Sequence, residues 1–163
     1  MRRIVFTAFA LTVFAACQPS TTELTEVQEA EIAAEVMMVA NELMSAWNAE
    51  DGPTSLSFFD SEALNLLWGE TEYDSRESFS GFWSDLWETV PSFEGAWDDT
   101  FVKALSLNSA VFRGRYHTTL TDAEGVATVF RPHWTAILER RVDGWKMTVV
   151  DHAYGTGEVV EEA

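Results

Sequence analysis

The side chains of this sequence with chemical reach gather in residues 133–155, HWTAILERRVDGWKMTVVDHAYG, which hold two of the three histidines and two of the seven tryptophans. Asp151-His152 has the form of a general base beside an orienting carboxylate. In an extended strand, however, adjacent side chains point to opposite faces, so these two form a dyad only across a bulge. The plainer reading sets Asp151 at a rim and His152 in a hydrogen bond beside Thr135. Three histidines also raise the question of a metal. With a turn at Asp143-Gly144, His133 and His152 become diagonal neighbours, while His117 lies about 13 Å further along its strand. A zinc site wants a third nearby protein ligand, and none is in reach, so no metal or cofactor is expected. Arg113, Arg115, Arg131 and His133 fall on one sheet face. They suit either a cavity for a carboxylate or other small anion, or ion pairs across a sheet-to-sheet interface. Tyr116, Tyr154, Trp83 and Trp134 complete the candidate pocket with Arg113, Arg131, His133 and His152. Among the other tryptophans, Trp47 and Trp87 on helices and Trp68 on a strand read mainly as core, some of them flooring an apolar cavity.

Hydrophobic periodicity outlines the elements that must position these groups. Ile32, Val36, Val39, Leu43 and Trp47 recur at helical spacing and predict an amphipathic helix that stops before Asp51-Gly52-Pro53. A short helix over 54–59 and an apolar strand in EALNLLWG follow. Asp74 is placed as the N-cap of a third helix, with Glu77 three residues on, Phe79, Trp83, Leu86 and Val90 along one side, and Pro91 at its end. From there the period changes to two. Strands are predicted over 100–107, 109–120, 126–141 and 145–154, with turns at TDAEG and Asp143-Gly144. The second turn sets Val142 opposite Trp145, Leu138 opposite Val149, Ala136 opposite Asp151 and Thr135 opposite His152. The first sets Tyr116 beside Phe130 and Phe112 beside Trp134. One face then collects Phe112, Tyr116, Leu120, Phe130, Trp134, Leu138, Trp145, Met147 and Val149. Arg113, Arg115, His117, Arg131, His133, Thr135, His152 and Tyr154 fall on the other. Helices followed by an antiparallel meander give the α+β class.

A chain of 163 residues suits one domain, placed over 29–155. Residues 1–16 carry two arginines, an apolar run and small residues before Cys17, the pattern of a secretory signal too short to remain as a membrane span. Cys17 is the sole cysteine, so no intramolecular disulfide can form. The sequence FAAC resembles a bacterial lipobox, with Phe14 where an aliphatic residue is usual. That resemblance implies acylation of Cys17 and attachment to the lipid bilayer. Ordinary secretory cleavage would instead leave a free thiol. Gln18, rather than Asp, after the cysteine resembles the outer-membrane pattern, which places the chain in the bacterial cell envelope facing the periplasm. The segment 17–28 reads as lipidated cysteine and flexible tether, and 156–163 as a fraying acidic tail. The formal charge is −17; losing residues 1–16 removes Arg2 and Arg3 and leaves 8 basic against 27 acidic residues, a charge of −19. Nucleic acid is thereby excluded as a partner, and cationic or neutral partners are expected.

The order of elements, together with RRVDGWKMTVVDHAYG, resembles the NTF2-like superfamily in its SnoaL-like branch, whose domains end in a dGxW…HxS pattern. Two departures stand out. The spacing from Trp145 to His152 is one residue longer than usual, which suggests a bulge, and Tyr154 replaces the usual Ser. The resemblance implies a cone in which a strongly bent antiparallel sheet wraps around the N-terminal helices, with a cavity between them, and a homodimer. It also brings enolisation chemistry into view, for which Asp98, Asp99, Asp151 or His133 would be the base and Tyr116 or Tyr73 the donor. The expectation is a lipid-anchored domain binding a small apolar or anionic molecule. The alternatives are an isomerase, dehydratase or cyclase using the same cavity, or an envelope scaffold.

Overall fold

A computed structural model describes residues 23–89, 92–122 and 124–159; Cys17 and the segment before it lie outside the described residues. Helix α1 (Glu26–Asn48) opens on a capping box, in which Thr25 Oγ1 accepts from the Gln28 N–H at 3.2 Å and Gln28 Oε1 accepts from the Thr25 N–H at 3.0 Å. It therefore starts ahead of residue 29, within the stretch read as tether. Asp51 Oδ1 accepts from the Thr54 N–H at 3.0 Å and starts the short α2 (Gly52–Ser57). Strands β1 (Asn65–Trp68) and β2 (Thr71–Tyr73) follow, joined at Gly69, whose φ of +63° favours glycine. Helix α3 (Arg76–Thr89) is capped by Ser75, whose Oγ accepts from the Ser78 N–H at 3.2 Å. The expected cap, Asp74, lies one residue too early to reach that amide.

The strands are β3 (Ser92–Ser106), β4 (Ser109–Thr121), β5 (Ala127–Phe130), β6 (His133–Arg141), β7 (Gly144–Ala153) and β8 (Glu158–Val159). They form one sheet in the order β2-β1-β7-β6-β4-β5-β8, with β3 along the other edge of β4. β3 begins at Ser92 rather than residue 100, because its first half carries acids and a bulge between Trp97 and Asp99 that hide its alternation. The strand expected over 126–141 is two strands, split at Arg131-Pro132 where the ladder loses a donor. Both halves keep one register on β4, with Thr118 opposite Phe130 and Arg115 opposite His133. Tyr116 thus sits two positions from its expected place beside Phe130. A shift of two leaves the faces unchanged.

The last hairpin departs further. Arg141 pairs with Gly144 and Leu138 with Met147, so the turn is Val142-Asp143 rather than Asp143-Gly144. A bulge then leaves Thr148 unpaired, and beyond it Ile137 pairs with Val149 and Trp134 with His152. The extra residue turns the second half of β7 over. His152 consequently joins the apolar face with Trp134 instead of facing Thr135, and Val149, 42 % exposed, moves to the outside.

The core lies between α1 and the concave side of the sheet. Ile32, Val36, Leu43 and Trp47 of α1 are buried as the helical spacing requires. Trp47 is the hub, with its ring centroid 5.3 to 6.2 Å from those of Trp68, Trp83, Phe93, Tyr116 and Trp134. Its Trp134 and Trp68 contacts are edge-on, the arrangement the ring quadrupole favours. At the far end Glu35 accepts from Trp145 Nε1 at 2.8 Å and pairs with Arg140, tying α1 to the β6–β7 hairpin.

Candidate functional site

Inside the cone, a cavity of about 130 Å³ opens between α1, α3 and the sheet. The helices supply Trp47, Phe82, Trp83 and Leu86; β1 supplies Trp68, and β3 supplies Phe93. From the sheet β4 contributes Tyr116, Thr118 and Leu120, which point inward together because they are spaced by two. Phe130, Pro132, His152 and Tyr154 close the remaining wall.

His152 is the chemical centre of that wall. Its ring stacks on Trp68 at 3.9 Å between centroids and 23° between planes, and Tyr154 meets it edge-on at 5.1 Å. Its Nε2 lies 2.9 Å from the Tyr116 hydroxyl, while Nδ1 has no hydrogen-bond partner among the described residues. Burial pushes its pKa down to about 3, so the imidazole is neutral at physiological pH. The same burial, with Tyr154 close by, pushes the Tyr116 phenol far above its ordinary range. Tyr116 and His152 are thus a neutral hydrogen-bonded pair. Thr118, another residue of the cavity wall, has a buried Oγ1 with no hydrogen-bond partner among the described residues. Among the described residues no charged side chain belongs to this wall.

Tyr116, Tyr154, Trp83 and His152, all singled out from the sequence, meet in this cavity. Trp134 lies behind it, fully buried, edge-on to Trp47 at 5.3 Å and to His152 at 5.6 Å. Arg113, Arg131 and His133 do not line it, because their strand positions alternate with the inward ones. The guanidinium of Arg113 sits 5.6 Å above the Phe101 ring, and Arg113 and His133 share a groove on the outer face with Asp99 and Arg115. Arg131 lies 4.0 Å from Asp98, which also holds His117 Nδ1 at 2.6 Å. The carboxylates Asp98, Asp99 and Asp151 are exposed and away from the cavity, and Tyr73 packs against Phe79 and Phe82 without lining it. His133 and His152 stand on opposite faces, and no group of three or more metal-ligating side chains occurs among the described residues.

Sequence reasoning missed Thr118, although it lies two residues beyond Tyr116 on the same strand and period two would have placed it inward. Trp47 and Trp68, expected mainly in the core with some tryptophans flooring an apolar cavity, do both: they are buried and their rings wall the cavity.

No family model matches the chain, and no curated protein matches it. Solved structures do. A scytalone dehydratase-like protein from Novosphingobium aromaticivorans superposes with a TM-score of 0.77 at 6 % identity, over 85 % of this chain and 94 % of that one. A dehydratase-like protein of the NTF2-like family from Streptomyces avermitilis gives 0.69 at 12 % identity, over 77 % and 97 %. A ketosteroid isomerase-like protein from Erwinia carotovora gives 0.67 at 21 % identity, over 74 % and 94 %. At such identities the likeness is one of architecture, and with the helices leading into a curved open sheet it establishes that this chain has the NTF2-like α+β fold.

Proposed function

We propose that the chain is a lipid-anchored envelope protein whose cavity binds a small, uncharged, apolar molecule without transforming it. The observation that carries this reading is the cavity wall, aromatic on most sides, with a neutral Tyr116–His152 pair and, among the described residues, no charged side chain. Such a wall suits apolar surface removed from water and penalises a bare charge. The anionic ligand considered from the sequence loses support, since Arg113 and Arg131 lie outside the cavity.

An enzyme using the same cavity is favoured less. The proteins it resembles in fold include dehydratase-like and isomerase-like ones, but a histidine base is ordinarily oriented through its second nitrogen, and His152 Nδ1 has no such partner among the described residues. Attachment is through Cys17 to the outer membrane, with the domain in the periplasm. Pairing of two copies through the outer sheet face is part of the proposal. Val111, Ile137 and Val149 form a continuous row there, across β4, β6 and β7, with Phe101 half exposed nearby.

Native mass spectrometry of the chain from Gln18 onward, purified from its own periplasm with no ligand added, tests both parts. A dimer carrying a reproducible extra mass of a small neutral compound is expected. A bare monomer would count against binding and pairing alike.

A further inference from the structure

We infer that the cavity takes a single uncharged aromatic ring bearing one oxygen substituent, and that the hydroxyl of Thr118 reads that oxygen. This rests on the binding role proposed above and narrows it to a ligand class.

Size sets the first limit. The cavity holds about 130 Å³. An apolar cavity of about 150 Å³ in an unrelated protein admits benzene, so the space here is that of one ring. Shape and chemistry set the second. Trp47, Trp68, Phe82, Trp83, Phe93 and Phe130 present aromatic surface from both helices and from three strands. A flat ring meets such surfaces by offset or edge-on contact, which adds to area burial; an aliphatic chain gains the area alone.

Charge sets the third limit. A carboxylate or ammonium group would leave water for a wall with no counter-ion, beside an imidazole that stays neutral. A single oxygen is a different matter, because the wall contains polar atoms with no hydrogen-bond partner among the described residues, Nε1 of Trp47, Nδ1 of His152 and Oγ1 of Thr118, and of these the Thr118 hydroxyl alone both donates and accepts. Thr118 is 4 % exposed and its Oγ1 makes no hydrogen bond among the described residues. Buried hydroxyls are ordinarily paired, so this one is a cost in the empty protein that a ligand oxygen relieves. The Tyr116 hydroxyl on the same strand face is already engaged by His152, and the His152 ring is held by Tyr116 and Trp68 together. Thr118 is held by nothing comparable. Its Oγ1 is itself covered within the wall, and rotation about the Cα–Cβ bond turns it toward the cavity without breaking a hydrogen bond; there it can donate to a carbonyl or both donate to and accept from a phenolic hydroxyl.

The test is a proton NMR titration of the chain from Gln18 onward, which holds every described element, with phenol, toluene and benzoate as probes. The same titrations are run on Thr118→Val and Thr118→Ser. Phenol is expected to bind more tightly than toluene and benzoate not at all. Thr118→Val should weaken phenol by roughly three- to tenfold, the range of one neutral hydrogen bond, and leave toluene unchanged. Thr118→Ser, which keeps the hydroxyl, should keep the preference. A Thr118→Val melting temperature at or above that of the parent excludes misfolding as the cause. Toluene binding with no Thr118-dependent gain for phenol overturns the inference and leaves the apolar cavity standing. Benzoate binding as tightly as phenol overturns the requirement for an uncharged ligand. If neither toluene nor phenol binds, the binding role itself falls, and this inference with it.

Discussion

His152 is 1 % exposed, with the Trp68 ring stacked on it and the Tyr116 hydroxyl on Nε2, so a proton added there would place an uncompensated charge inside an aromatic wall. Burial accordingly lowers its pKa from 6.5 to about 3. The unfolded chain has no such wall and takes the proton near pH 6.5. Between those two values the unfolded state binds more protons than the folded one, so this histidine costs nothing above the upper value and destabilises the fold progressively as pH falls toward the lower. The slope contributed by one such group is at most about 1.4 kcal/mol per pH unit. Urea unfolding from pH 7 to pH 4 should therefore show the parent losing stability more steeply than His152→Phe, which removes the titration and keeps a ring in the stack. Many carboxylates titrate in the same range, but they are common to both proteins, so the difference between the profiles isolates His152. Parallel profiles would mean that water reaches the imidazole in the folded state.

On β4, Gly114 lies under Trp97 of β3, where an added Cβ would come within 2.6 Å of the indole Cζ3 and 2.7 Å of Cε3. Trp97 has little freedom to retreat, since its Nε1–H donates to Ala40 of α1 at 3.1 Å and its ring is edge-on to Phe112 at 5.1 Å. Gly114→Ala is thus an overpacking change that loosens the seam between α1 and the sheet, and it should lower the unfolding free energy by about 1 to 3 kcal/mol in urea titration. A variant as stable as the parent would show that this seam yields freely. The same scale decides what the sequence could reveal. The helices and β4 were legible because their buried residues keep one period from end to end. In β7, by contrast, Met147 and Thr148 are both buried although adjacent, which breaks period two at the residue that carries the bulge. The added residue between Trp145 and His152 signalled an irregularity but not its place, and that place determined whether His152 faced the cavity or the solvent. Pro132 had a visible consequence for the ladder and none for the face, because β5 and β6 keep a single register on β4. The outward arginines were legible as a group by alternation. What could not be read was which side of the sheet α1 would cover, since that is decided by contacts such as Trp47 on Trp134 between residues far apart in sequence.

At the scale of the whole molecule, the net charge of −17 bears on how the chain can be held at a membrane. Anionic lipid repels such a surface, and screening within about 10 Å at 0.1 M salt weakens the repulsion without turning it into attraction. No helix among the described residues is long and apolar enough to cross a bilayer. Under the proposed anchoring, attachment therefore falls on the acyl chains at Cys17, with the short polar stretch from Gln18 to the capping residue Thr25 separating lipid from the first turn of α1. Salt then has nothing to release. The parent protein is expected to stay with membranes through a high-salt wash and to leave them in detergent. It should also incorporate an alkyne-tagged palmitate that Cys17→Ala does not, a readout that stays informative even where the variant keeps its apolar signal segment and remains membrane-associated for that reason. Release of the parent by salt would point to a bridging cationic partner in place of acyl chains. A parent that takes up no palmitate would remove the anchor from the proposal while leaving the cavity, which is built wholly from residues of the folded cone, as it stands.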